Sequence, residues 1–78
     1  MDSSIVKLCE NVFEISCLAV YLQQDGLIFY DDSRDLFQEI LWIAKSFEQE
    51  WNHSENSDMD YIESIQEYAK VKLLETFK

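Results

Sequence analysis

Residues 17–31, CLAVYLQQDGLIFYD, decide the fold of this chain. Val20, Tyr21, Ile28 and Phe29 are strand formers, and Asp25-Gly26 between them is a hairpin signal. Read with the residues before it, the same stretch is the end of a helix. Ile5, Leu8, Val12, Ile15, Ala19 and Leu22 recur by threes and fours, and Gly26 suits the left-handed position just beyond a helix. Val6, Phe13 and Val20 widen that stripe, and only Lys7, Glu10 and Glu14 form a clear polar strip. A helix over 4–24, well covered by its neighbours, is the preferred reading. A hairpin around 18–30 is its rival.

Working outward, Asp32 can cap a second helix over 33–53, with Asp35 at the third position in a loose capping box. Phe37, Ile40, Ala44, Phe47 and Trp51 form its stripe, widened by Leu36, Leu41 and Ile43. The polar run His53-Ser54-Glu55-Asn56-Ser57 reads as a loop. Ser57 can then cap a third helix over 58–77, with Asp60 at its third position and Tyr61, Ile62, Ile65, Tyr68, Ala69 and Leu73 as its stripe. Lys70, Lys72 and Lys78 lie toward the C-terminal end, where cations complement the helix dipole. These patterns predict an all-α fold: one domain over 1–78, a small antiparallel bundle of three to four helices. Leu8, Val12, Ile15, Ile40, Phe47, Ile65, Ala69 and Leu73 are the expected core.

Composition narrows the function. The chain has 78 residues, 47% of them hydrophobic and 14% aromatic, with one Gly and no Pro. That is too much apolar surface for a disordered acidic tail. Sixteen acids against six bases give a formal net charge of −10. Such a balance disfavours direct contact with nucleic acid or an anionic membrane, both of which require a positive footprint. Cys9 and Cys17 are too far apart on one helix to pair, and read as reduced, buried small hydrophobes. Met1-Asp2-Ser3-Ser4 opens no signal peptide, and no apolar run reaches spanning length, so a soluble cytoplasmic domain is expected. The Asn52-His53-Ser54 sequon is then without meaning.

Little points to catalysis. His53 is the only histidine, and its position suits a solvated residue at a helix end. One His and two separated Cys make no zinc spacing, and the acidic loops lack the calcium-loop pattern. A single Gly excludes a Gly-rich phosphate loop. No enzyme activity, metal or cofactor is expected.

The distribution of charge is more telling. From Asp25 to Glu67 there are twelve acids and two bases, a net −10; the remainder is neutral. Solubility and helix N-termini account for Asp32, Asp35, Asp58 and Asp60. They do not account for Glu48, Glu50 and Glu55, at the end of helix 2 where the dipole disfavours negative charge. An acidic functional surface is the preferred reading, over plain solubility. Trp42 falls opposite the apolar stripe, among Asp35, Gln38, Glu39, Lys45, Ser46 and Gln49. Either the first helix or the 27–30 connection covers it, or it is an exposed anchor among carboxylates.

Leu36–Glu50, LFQEILWIAKSFEQE, and the C-terminal KVKLLETFK resemble immunity proteins of the colicin D type over about half the chain. The resemblance lies in hydrophobic spacing, Phe47-Glu48, and the ending Leu74-Glu75-Thr76-Phe77-Lys78. The first half here is shorter and more apolar than the family's. The resemblance implies a small, acidic, helical protein that neutralises a transfer-RNA-cleaving bacterial toxin. Such toxins include those of contact-dependent growth inhibition. In that family acidic side chains fill the basic cleft of the toxin. Phe47-Glu48 with Glu50, and Asp60-Tyr61, match its acidic region.

The expected partner is thus a basic toxin nuclease domain. The contact set is Asp31, Asp32, Asp35, Glu39, Trp42, Glu48, Glu50, Glu55, Asp58, Asp60, Tyr61, Glu63 and Glu67. A nucleic-acid mimic inhibiting a DNA-binding or anti-phage defence protein, and a structural adaptor bundle, are the alternatives.

Overall fold

The computed structural model describes residues 3–51 and 58–77. They form three helices: α1 (Ser3–Gln24), α2 (Ser33–Glu50) and α3 (Asp58–Phe77). His53, the Asn52-His53-Ser54 sequon, Glu55 and the Ser57 cap lie outside the described residues, as does the side chain of Asp58.

The ambiguity at 17–31 resolves as a helix followed by an extended connection. Gly26 adopts φ +74°, the left-handed conformation that both a hairpin turn and a helix stop can use. Here it stops a helix. The Gly26 N–H donates to Gln23 O at 3.0 Å, and the Leu27 N–H donates to Leu22 O at 2.9 Å. This pair of bonds is the Schellman closure, which satisfies carbonyls that the last turn would leave open. The strand-like alternation that follows is real but pairs with no second strand among the described residues. Ile28 is buried and Tyr30 half-buried, while Leu27 and Phe29 face outward. The Tyr30 hydroxyl donates to Gln23 Oε1 at 2.9 Å, and its ring meets Phe77 edge-on at 6.4 Å. The connection therefore lies across the end of the bundle where α1 and α3 finish.

Asp32 caps α2 as expected. Its backbone is extended (φ −133°, ψ 122°) and its Oδ1 accepts the Arg34 N–H at 2.9 Å. The helix stops earlier than the expected 53, at Glu50. Trp51 turns extended (φ −73°, ψ 129°) while its N–H still donates to Phe47 O. α1 runs antiparallel to α2, and α2 to α3. Asn11, in the first half of α1, meets Glu48 near the end of α2 and Tyr61 near the start of α3.

The core comprises Ile15, Ala19, Leu22, Ile28, Leu36, Ile40, Ile43, Ala44, Phe47, Ile65, Ala69 and Leu73. Leu8 and Val12 are half-buried against it. Two expectations fail for one reason. Cys9 and Cys17 are exposed, and Val6, Phe13 and Val20, on the same side of α1, are exposed too. In a three-helix bundle each helix has two neighbours, so the outward third of α1 has nothing to cover it. Phe37 is likewise 51% exposed, and Leu36 fills the core position one residue earlier.

Candidate functional site

The acidic residues divide between two environments. Asp31, Asp32, Asp35, Glu50, Asp60, Glu63 and Glu67 are exposed; Glu39 and Glu48 are half-buried. Asp35, Glu39 and Glu50 fall on one side of α2 by their spacing, and Asp60, Glu63 and Glu67 fall on one side of α3. The structure thus presents two short acidic stripes on adjacent helices. Asp32 has a further task as the α2 cap.

Trp42 is exposed, at 55%. It sits three residues after Glu39 and seven after Asp35, beside the α2 stripe. That exposure goes against the reading in which α1 or the 27–30 connection covers it. A half-exposed indole among carboxylates has the composition of an interface anchor: a large rigid apolar surface with a hydrogen-bond donor at one edge.

Glu48 has a different role from its neighbour Glu50. It turns toward the other two helices, where its Oε1 accepts from Asn11 Nδ2 at 2.6 Å. The Tyr61 hydroxyl lies against both Asn11 Oδ1 and Glu48 Oε1, and its single proton is donated between them. Asn11 is 1% exposed, so its amide depends on these partners. Among the described residues no buried side-chain polar atom lacks a hydrogen-bond partner. Burial, then the bond to Glu48 and its charge, hold the Tyr61 phenol above the usual tyrosine range; the bond to Asn11 opposes this in part.

Aromatic rings surround this network. Phe47 stacks on Trp51 at 5.3 Å and meets Tyr61 edge-on at 5.4 Å and Tyr68 at 5.6 Å. Trp51 meets Tyr61 edge-on at 5.2 Å. The Lys7 ammonium stands 5.4 Å from the Tyr61 ring centre. Glu48 and Tyr61 are therefore joined to the interior, and the unfavourable placement of Glu48 near a helix C-terminus is offset by its hydrogen bonds. Asn11 was not legible as a site residue, because in sequence it stands only as a polar break in an apolar run. An open groove lined by Leu8, Lys45, Glu48 and Gln49 runs beside the network.

Among the described residues no group of three His, Cys, Asp or Glu side chains is arranged to hold a metal. None of the described helices is long and apolar enough to cross a membrane. Comparison with family models, with curated proteins and with solved structures returns no match.

Proposed function

We propose that this protein is an immunity protein, which binds a bacterial nuclease toxin of the transfer-RNA-cleaving kind and occludes its basic cleft. One observation carries the reading. The entire net charge of −10 lies between Asp25 and Glu67, while the remainder of the chain is neutral. Within that segment the exposed carboxylates Asp35, Glu50, Asp60, Glu63 and Glu67 accompany an exposed Trp42. Carboxylates at this density imitate a phosphate backbone, pair with Lys and Arg in a nuclease cleft, and require no chemistry of their own. The complementary fields also speed encounter, toward roughly 10⁸–10⁹ M⁻¹s⁻¹ at low salt. Trp42 supplies the apolar anchor that a purely ionic contact lacks. The resemblance of Leu36–Glu50 and the C-terminal segment to colicin D-type immunity proteins points the same way.

The test is to search the neighbourhood of this gene for a nuclease toxin domain and to co-express the chain with the domain found there. The parent chain should protect cells, and its affinity for the purified toxin domain should fall steeply as salt rises. A variant combining Asp35→Asn, Glu50→Gln, Asp60→Asn, Glu63→Gln and Glu67→Gln should keep its helical circular dichroism and lose protection. Trp42→Ala should cost about 2 kcal/mol of binding and leave the melting temperature unchanged. Full protection by the five-fold variant would remove the acidic-face mechanism.

A further inference from the structure

The outward face of α1 is apolar, uncovered and symmetric in sequence. Val6, Cys9, Phe13, Cys17 and Val20 are all exposed. Phe13, two-thirds exposed, stands at the middle of the 22-residue helix. The cysteines lie four residues to either side of it, and the valines seven. The order Val-Cys-Phe-Cys-Val therefore reads the same in both directions along the helix.

We propose that this face pairs with the same face of a second copy of the chain, the two α1 helices antiparallel about a two-fold axis beside Phe13. A two-fold interface must be self-complementary, and a palindromic apolar stripe meets that condition for antiparallel helices, since each residue then lies level with one of its own kind. Phe13 then meets Phe13, each Cys9 lies level with the second copy's Cys17, and each Val6 with its Val20. Charge selects the same face. Two chains of net −10 repel, and α1 carries only Lys7, Glu10 and Glu14. Pairing through α1 brings together the helix of smallest net charge in each copy and leaves the stripes of α2 and α3 free. The antiparallel sense also places Glu10 level with the second copy's Ser16, whereas a parallel pair would oppose Glu10 to Glu10 and align the helix dipoles unfavourably.

One helix pair about 33 Å long covers less than the roughly 800 Å² per partner of a standard interface. The dimer should accordingly be weak, with a dissociation constant of about 10–100 µM. Its response to salt is opposite to that of an ionic inhibitor contact. Screening reduces the repulsion between copies, so added salt should strengthen self-association.

Sedimentation velocity of the full chain under reducing conditions should show a monomer–dimer equilibrium over that concentration range. Phe13→Glu should leave circular dichroism unchanged, since Phe13 is outside the core, and shift the protein to monomer. Mild oxidation of the parent should trap a covalent dimer through Cys9 and Cys17 of opposite copies. Cys9→Ser alone and Cys17→Ser alone should each abolish trapping, because like cysteines in an antiparallel pair sit about 12 Å apart along the axis. A parent that remains monomeric, or a Phe13→Glu variant that dimerises as the parent does, overturns the proposal. Efficient trapping in either single-cysteine variant does so too, since it indicates parallel or collisional contact.

Discussion

The two ends of the bundle are closed by different chemistry. At one end Asn11, Glu48 and Tyr61 join the three helices through side-chain hydrogen bonds, inside a ring of Phe47, Trp51 and Tyr68. At the other, the backbone of 27–30 crosses the opening, buries Ile28 and sets Tyr30 against Phe77. The apolar end gains its stability from area removed from water, which depends little on direction. The polar end gains less per contact but tolerates only one arrangement, since a buried amide without a partner is costly.

The comparison can be broken by unequal losses. Phe47→Ala should cost the most, about 3–5 kcal/mol in chemical denaturation, because Phe47 is both core and the hub of the aromatic ring. That is a large share of the stability a domain this small can have. Ile28→Ala should cost about 2–5 kcal/mol although it belongs to no helix. A loss under about 1 kcal/mol would show that the connection merely drapes the end. Asn11→Ala should cost about 1–3 kcal/mol, by removing the partner that Glu48 and Tyr61 share.

Tyr61→Phe should cost least, about 1 kcal/mol near neutrality, since Asn11 and Glu48 still bond each other. Its signature is in alkali. An unfolded tyrosine titrates near pH 10, and the folded phenol is held above that value. Folding thus favours the protonated form. The contribution is complete below about pH 10 and is lost as pH climbs from there toward the raised folded value. Above pH 10 the parent should lose stability faster than Tyr61→Phe, and parallel urea titrations of the two would measure the difference.

What could be read from sequence was whatever the chain encodes locally. The three- and four-residue spacing of Ile15, Ala19 and Leu22, of Ile40 and Phe47, and of Ile65, Ala69 and Leu73 located the helices and most of the core. Asp32 as a cap is equally local. The Asp25-Gly26 pair was ambiguous because a hairpin and a helix stop require the same left-handed glycine. The Leu27 N–H bond back to Leu22 decides between them. Cys9 and Cys17 were assigned to the interior from the habits of the residue type, when their phase on the helix puts them outside. Glu48 and Glu50 are two residues apart and alike in sequence. What separates them is Asn11, 37 positions away, and Tyr61, 13 positions away, and spacing within one helix cannot show such partners.

The triad has a consequence for the handedness of the bundle. After α1 and α2 pair, α3 can lie on either side of them, giving two windings that are close to mirror images in helix arrangement. Apolar stripes discriminate poorly between the two, because each buries much the same area. A polar set with one member on each helix adds a directional requirement that apolar stripes lack, and Asn11, Glu48 and Tyr61 are expected to choose the hand of the fold. The combined change Asn11→Leu, Glu48→Met and Tyr61→Phe should then keep most of the helical content and melting temperature while giving doubled amide resonances in a ¹H–¹⁵N spectrum. A single sharp set would mean that side-chain shape in the core is enough to choose the hand.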